Sequence, residues 1–259
     1  MTVRGTAQRA VASVLARGGM ELRRVGSTDP VPDAAPDPAP DPRTVDYFAQ
    51  ARAIDARHAT QTVDDVEALR RKYEAPVFGS VRVWELIERL AVCIDPSDCA
   101  LFCTSQLTHV LQMLDAMARD GIDDPELLLA VLVHDLGKLL LVTDEDPANV
   151  VCMNSPIGDP HPGIGLDQCT FQWNHDEFGW SRVRGHVPDG VAWLVRHHSM
   201  DVDAVANLMD ARDLEYRARY FDVFTHYDHG TKTPFHMPTV ELDSYRELVE
   251  NAFPEPIPF

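Results

Sequence analysis

Apolar residues recur every three or four positions through most of this chain, and alternating β-branched runs are scarce, so the pattern predicts an all-α fold. From Thr104 to Asp120, Leu107, Leu111, Leu114 and Met117 form one stripe, with Gly121 as a stop. Asp124-Pro125 reads as an N-cap followed by proline at the first helical position, opening a helix to about Leu141. Further helices are predicted over 174–184, 190–197, 214–229 (stopped by Gly230) and 240–252. Between them, 143–165 is a loop rich in Pro, Gly, Asp and Asn, and a loop that long inside a compact domain is often functional. No internal repeat is visible.

Composition changes the picture at the N-terminal end. Residues 29–43 (DPVPDAAPDPAPDPR) are low-complexity Pro/Asp/Ala, which predicts an extended linker. The chain therefore divides into a segment 1–28, the linker 29–43 and one large domain 44–259, long enough for a substantial core. The first 24 residues carry Arg4, Arg9, Arg17, Arg23 and Arg24 against one acid, Glu21. An organellar transit peptide has that look, and a plain amphipathic helix is the reading preferred.

The formal charge of −18 argues against a nucleic-acid partner, because phosphate binding needs a basic face. Acidity by itself signals only solubility. No apolar run reaches the roughly 18–20 residues of a membrane span. The longest, Leu127 to Val133, ends at His134 and Asp135. Five cysteines without a CxxC or a signal peptide fit a reducing, cytoplasmic setting. The oligomeric state stays open, a monomer included.

Six residues carry the candidate chemistry: His109, His134, Asp135, His175, His198 and Asp228. A His-Asp pair alone is a weak signal, and two occur here, His134-Asp135 and His175-Asp176. Order and context raise it, in THVLQ, LVHDLGK, WNHDEF, RHHS and YDHGTK. Neighbours on a helix diverge by about 100°, so His134 and Asp135 serve two ions better than one. The imidazole would bind one ion and the carboxylate bridge both across roughly 3.5–4 Å. His109 and Asp228 would complete the first ion, His175 and His198 the second. So few ligands on the second ion leave open positions for substrate and oxygen. Lys138, one helical turn after His134, would reach a substrate hydroxyl. Nitrogen and oxygen ligands without thiolate suit iron or manganese and tolerate zinc. His58, His161, His186, His197, His226, His229 and His236 read as structural or surface residues, and Trp173 and Trp180 as core.

These motifs resemble the myo-inositol oxygenases, the dinuclear-iron branch of the HD-domain superfamily. The similarity runs from about His58 to Phe253 through HATQTVDDVEALRRKY, IDPSD, HDLGK, VVCMNSPIG, GLDQCTFQWNHDEF, HHS and FTHYDHGTK, in family order. The resemblance implies an HD-domain helical bundle and two iron ions in a mixed-valent Fe(II)/Fe(III) pair, with O2 as co-substrate. It assigns His109, His134, Asp135 and Asp228 to one iron, and Asp135, His175 and His198 to the other. It implies four-electron oxidative ring cleavage of a polyol, myo-inositol first, to a uronic acid. Asp95, Lys138, Ser199 and Lys232 become substrate contacts, with Lys138 catalytic.

One segment departs from the family. Its Gly-Asp-Thr reads Cys152-Met153-Asn154 here, which replaces an acidic substrate contact by a thioether. Either Met153 weakens myo-inositol binding and selects an apolar or modified group, or it turns away and Asn154 supplies the hydrogen bond. Alternatives for the whole chain are an oxygenase of another hydroxylated substrate, an inositol derivative or hydroxy-phosphonate, and an HD-type phosphohydrolase. A non-catalytic metal-binding module is a third.

Overall fold

The computed structural model describes residues 46–101 and 104–259. The N-terminal segment 1–28 and the linker 29–43 lie outside them. The described chain is mostly helical, with one two-stranded antiparallel pair. In order come α1 (Tyr47–His58), α2 (Val63–Lys72), β1 (Ser80–Val81), α3 (Val83–Arg89), α4 (Gln106–Asp120) and α5 (Pro125–Val133). Then follow α6 (His175–Val183), α7 (Asp189–His197), α8 (Ala211–Tyr216), α9 (Asp222–Gly230), α10 (Arg246–Ala252) and β2 (Ile257–Pro258), which pairs with β1. No described helix is long and apolar enough to cross a membrane.

Local chemistry fixes the helices that carry the site. Ser105 caps α4 by accepting from the Thr108 amide, and Gly121 ends it in the left-handed region at φ +74°. Asp124 caps α5 and Asn174 caps α6, each accepting two backbone amides. α5 is apolar almost all round, and Leu127, Leu129, Ala130, Val131, Leu132 and Val133 are all buried. Burying a Leu or Val side chain is worth about 1.5–3 kcal/mol, so α5 is a central beam rather than an amphipathic surface helix. It packs against α4 and α7, while α6 packs on α7 and on the turn after α5. On α4 the buried face is Val110, Met113, Leu114 and Met117, while Leu107 and Leu111 are only half-buried.

Several expected elements are corrected. The helix predicted to Leu141 ends at Val133, because Asp135 leaves helical geometry (φ −95°, ψ 7°) and 136–142 winds as a tighter 3₁₀ turn. The helix over 214–229 is α8, a π-helical turn at Arg217–Phe221, and α9. The helix over 240–252 is a 3₁₀ turn, Leu242–Tyr245, followed by α10. Helices α1, α2 and α3 were not anticipated, although a Thr62–Asp65 capping box opens α2. No disulfide joins Cys93, Cys99, Cys152 and Cys169.

Candidate metal centre

The break at Asp135 assembles the centre. α5 delivers His134 just past its last turn, and the chain then swings so that the Asp135 carboxylate points between α4 and α6. Gly137 lets this turn lie against α6, since a Cβ there would stand 2.0 Å from the His175 carbonyl oxygen. Lys138 reaches the carboxylate from within the 3₁₀ turn, three residues after Asp135, and not from the continuous helix face expected.

Three imidazoles are anchored in the same way. Nδ1 of His134 donates to the Val131 carbonyl at 2.9 Å, that of His175 to Val150 at 2.8 Å, and that of His198 to Val195 at 3.1 Å. A carbonyl only accepts, so each Nδ1 carries a proton and each Nε2 is the ring atom turned inward. Those Nε2 atoms meet one carboxylate. Asp135 Oδ2 stands 3.2 Å from His134 Nε2, while Oδ1 stands 3.3 Å from His175 Nε2 and 3.6 Å from His198 Nε2. The two histidine Nε2 atoms of the second group are 3.3 Å apart. On the other side, His109 Nε2 is 2.9 Å from Asp228 Oδ1.

This donor set fits cations. His109, His134 and Asp135 form one group whose ligand atoms all lie within 4.8 Å of one another, and Asp135, His175 and His198 form a second. Bonds of roughly 2.1 Å place two adjacent ligand atoms about 3 Å apart, close to the separations found. His134 Nε2 and both Asp135 oxygens are buried without a hydrogen bond, although Lys138 Nζ stands 3.1 Å from Oδ2 as an ion pair. Donor atoms gathered in this way in a dry interior could hold a cation between them.

The electrostatics agree. Burial opposes ionisation of Asp135 and Asp228, yet His134 and Lys138 hold the first well below the usual carboxylate range, and Lys232 and His109 hold the second there. Burial pushes His109 down to about 4, so it is neutral and able to ligate. Burial also disfavours the His198 imidazolium but is outweighed by Asp176 and Asp135, which raise it to about 9. The second group therefore attracts positive charge strongly.

The residues expected to contact substrate lie beside the centre. Lys138 Nζ is buried, 3.1 Å from Asp95 Oδ2 and from Gln106 Oε1. Lys232 Nζ lies 3.2 Å from Asp98 and 3.5 Å from Asp228 Oδ1. Ser199 donates to Asp176 and accepts from Asn174. Asp176 was not anticipated as a site residue. Its Oδ1 stands 3.0 Å from His175 Nε2 and 3.5 Å from His198 Nδ1, and its Oδ2 accepts from Asn154 at 3.2 Å. The second His-Asp pair was the available signal for it. Gln106 had none. Met153 is 55% exposed, whereas Asn154 is buried with Oδ1 unpaired. His58 and His197 are buried but anchored on the Ala148 and Trp193 carbonyls, and they join neither group.

Comparison with known proteins points the same way. A family described as Myo-inositol oxygenase matches residues 50–159, which include Asp95, His109, His134, Asp135 and Lys138. Inositol oxygenase 1 of Arabidopsis thaliana is 28% identical over 235 residues, covering 76% of this chain and 75% of that protein. A probable inositol oxygenase of Oryza sativa subsp. japonica is 28% identical over 237 residues, covering 76% of each. Inositol oxygenase of Sus scrofa is 23% identical over 223 residues, covering 71% of this chain and 78% of that protein. With its buried histidines and aspartates gathered around Asp135, the chain is similar to the myo-inositol oxygenases over about three quarters of its length.

Proposed function

We propose that this enzyme holds two irons and opens the ring of myo-inositol, or of a close cyclitol, in an O2-dependent four-electron oxidation to a uronic acid. The observation that carries the reading is a single carboxylate, Asp135, with one oxygen facing each histidine group. The family implies iron, and the nitrogen and oxygen donors suit it. His109, His134, Asp135 and Asp228 would hold one ion, and Asp135, His175 and His198 the other, on an HD-type helical frame. The irons, as a mixed-valent pair, supply redox chemistry and Lewis acidity toward substrate hydroxyls.

The protein supplies binding, orientation and charge. Burial disfavours the Lys138 ammonium, but Asp135 and Asp95 raise it well above its ordinary value. It therefore stays protonated and acts as a hydrogen-bond donor to a substrate oxygen rather than as a base. Asp95 fixes that ammonium and is itself fixed by the Ser97 amide at 2.8 Å and hydroxyl at 2.7 Å. Lys232 offers a second donor beside Asp228, and Ser199 a third beside Asp176. Such a ring of donors and acceptors matches a polyol, because every buried hydroxyl needs a partner.

The test uses protein purified without oxygen. Iron analysis should give two per chain, and the EPR and Mössbauer spectra should change when myo-inositol is added. Oxygen uptake should match uronic acid formed, one for one. A single iron, or phosphate-ester hydrolysis without oxygen uptake, would replace this reading by the phosphohydrolase one.

A further inference from the structure

A groove of about 470 Å³ lies between the C-terminal end of α2 and the flank of α6, and none of its lining residues belongs to either histidine group. Arg70, Arg71, Arg182 and Arg184 line it together with Trp173 and Trp180. Four guanidinium groups in one groove stand out in a chain of formal charge −18. Only Glu74 and Glu177 oppose them there.

Part of this arrangement is structural. Arg70 pairs with the buried Glu177 at 3.1 Å, and Glu177 also takes Arg196 at 2.6 Å. Arg182 donates to the Tyr73, Glu74 and Ala75 carbonyls at the end of α2. The rest is not used by the fold. Arg184 lies 4.2 Å from the centre of the Trp180 ring and, among the described residues, has no carboxylate partner. Among the described residues Arg71 meets only Glu67, at 3.5 Å on an exposed helix face. Two donors of lining residues, Trp173 Nε1 and Arg182 Nε, are buried without an acceptor among the described residues, and Trp173 as a whole is 3% exposed.

Buried N–H groups without acceptors, beside unneutralised guanidinium charge, select a ligand rich in acceptors and negative charge. We propose that this groove binds a small phosphate-bearing molecule, with its phosphate between Arg71, Arg182 and Arg184. Stacking on Trp180 holds the Arg184 guanidinium in place before the ligand arrives, which lowers the ordering cost of binding. The inference does not depend on what the metal centre does.

Pyrophosphate titrated into the full-length iron-loaded protein at low salt tests it, read by calorimetry and by tryptophan fluorescence. Saturable binding at one site per chain is expected. The double variant Arg71→Ala/Arg184→Ala changes two solvent-facing side chains and should weaken binding by about tenfold or more. Trp173→Phe keeps the ring and removes the N–H, and should weaken it by a smaller factor. Lys138→Met, at the metal centre, should leave it unchanged. No saturation below about 10 mM, equal affinity in the double variant, or loss of binding in Lys138→Met would overturn the proposal.

Discussion

Gly137→Ala adds one methyl group where the turn after α5 touches α6. On the existing backbone, that carbon would stand 2.0 Å from the His175 carbonyl oxygen, 2.7 Å from its carbon and 2.8 Å from its Cα. Carbon and oxygen in close contact normally stand about 3.3–3.6 Å apart, so the two backbones must separate by more than an ångström. All three obstructing atoms are backbone, so no side chain can swing away. His175 Nε2 and Asp135 Oδ1 lie 3.3 Å apart across this contact, and metal sites tolerate about 0.2 Å. Overpacking of this kind costs about 1–3 kcal/mol, and a backbone obstruction belongs at the upper end. For a domain of this size, 3 kcal/mol lowers Tm by roughly 6–12 °C. Of the two irons proposed, the one assigned to His175 and His198 should be lost or weakly bound while the other remains. Turnover should fall by about 100-fold, the usual effect of a misplacement near 1 Å. Iron analysis, EPR and thermal unfolding measure all three effects, with Gly185→Ala as control, since nothing lies within 4 Å of a Cβ there. A Gly137→Ala protein with two irons, wild-type Tm and wild-type turnover would show that this contact does not set the geometry of the centre.

Lys138→Met should keep about two irons per chain and lower kcat by about 100-fold, and unchanged turnover would remove Lys138 from the chemistry. Asp135→Ala removes the shared ligand and should lose both irons, whereas His198→Ala should mainly weaken one. Iron binding should also release protons. The metal-free His198 imidazolium sits at about 9, above its ordinary 6.5, so it stabilises the empty fold below pH 6.5 and loses that contribution as pH rises toward 9. Iron displaces the Nε2 proton, so affinity should climb by up to about tenfold per pH unit between those values, and calorimetry showing no proton release at pH 7.5 would refute this. Asp115 on α4 accepts from the Thr239 amide at 2.9 Å and hydroxyl at 2.6 Å and lies 3.0 Å from His236 Nε2. Asp115→Ala should cost about 1.5–3 kcal/mol and raise KM by loosening the segment that follows Lys232, and a change in stability alone would separate the two effects.

Much of the centre was legible because its chemistry is local. A capping residue announced α5, an apolar stripe with a glycine stop announced α4, and the histidines sit at or near helix ends, where short motifs are read most easily. What stayed hidden depends on tertiary contact. Nothing in HDLGK shows that the helix stops at Asp135. The stretch from Leu127 to Leu141 is continuously apolar apart from the motif itself, and its helix propensity gave no reason to break it. The break follows from two demands of the assembled fold: Asp135 must face both histidine groups, and Gly137 must pass close to α6. Gln106 was unreadable for a similar reason, because its role is set by Lys138, 32 residues away. Asp176 was visible as half of a His-Asp pair, but periodicity cannot show that it faces two histidines and a serine at once.

The Cys152-Met153-Asn154 segment shows how far a substitution seen in sequence can be interpreted once its orientation is known. Read through the family resemblance, Met153 replaces a carboxylate with a thioether and should impoverish the substrate edge. In the fold Met153 faces solvent, and the next residue points inward. Asn154 donates to Asp176 at 3.2 Å and keeps a buried, unpaired Oδ1. A lone acceptor of that kind is unfavourable unless something donates to it, and a substrate hydroxyl can. Cys152 lies at φ +90°, a region that residues with a side chain seldom occupy and that glycine enters freely. The Asn174 side chain donates to its carbonyl at 3.0 Å, and Asn174 also caps the helix that bears His175. The unusual backbone is thus tied to the second histidine group by one residue. It turns a hydrophobic side chain outward and an amide inward, so the altered segment still presents a polar edge, neutral where the family has a charge.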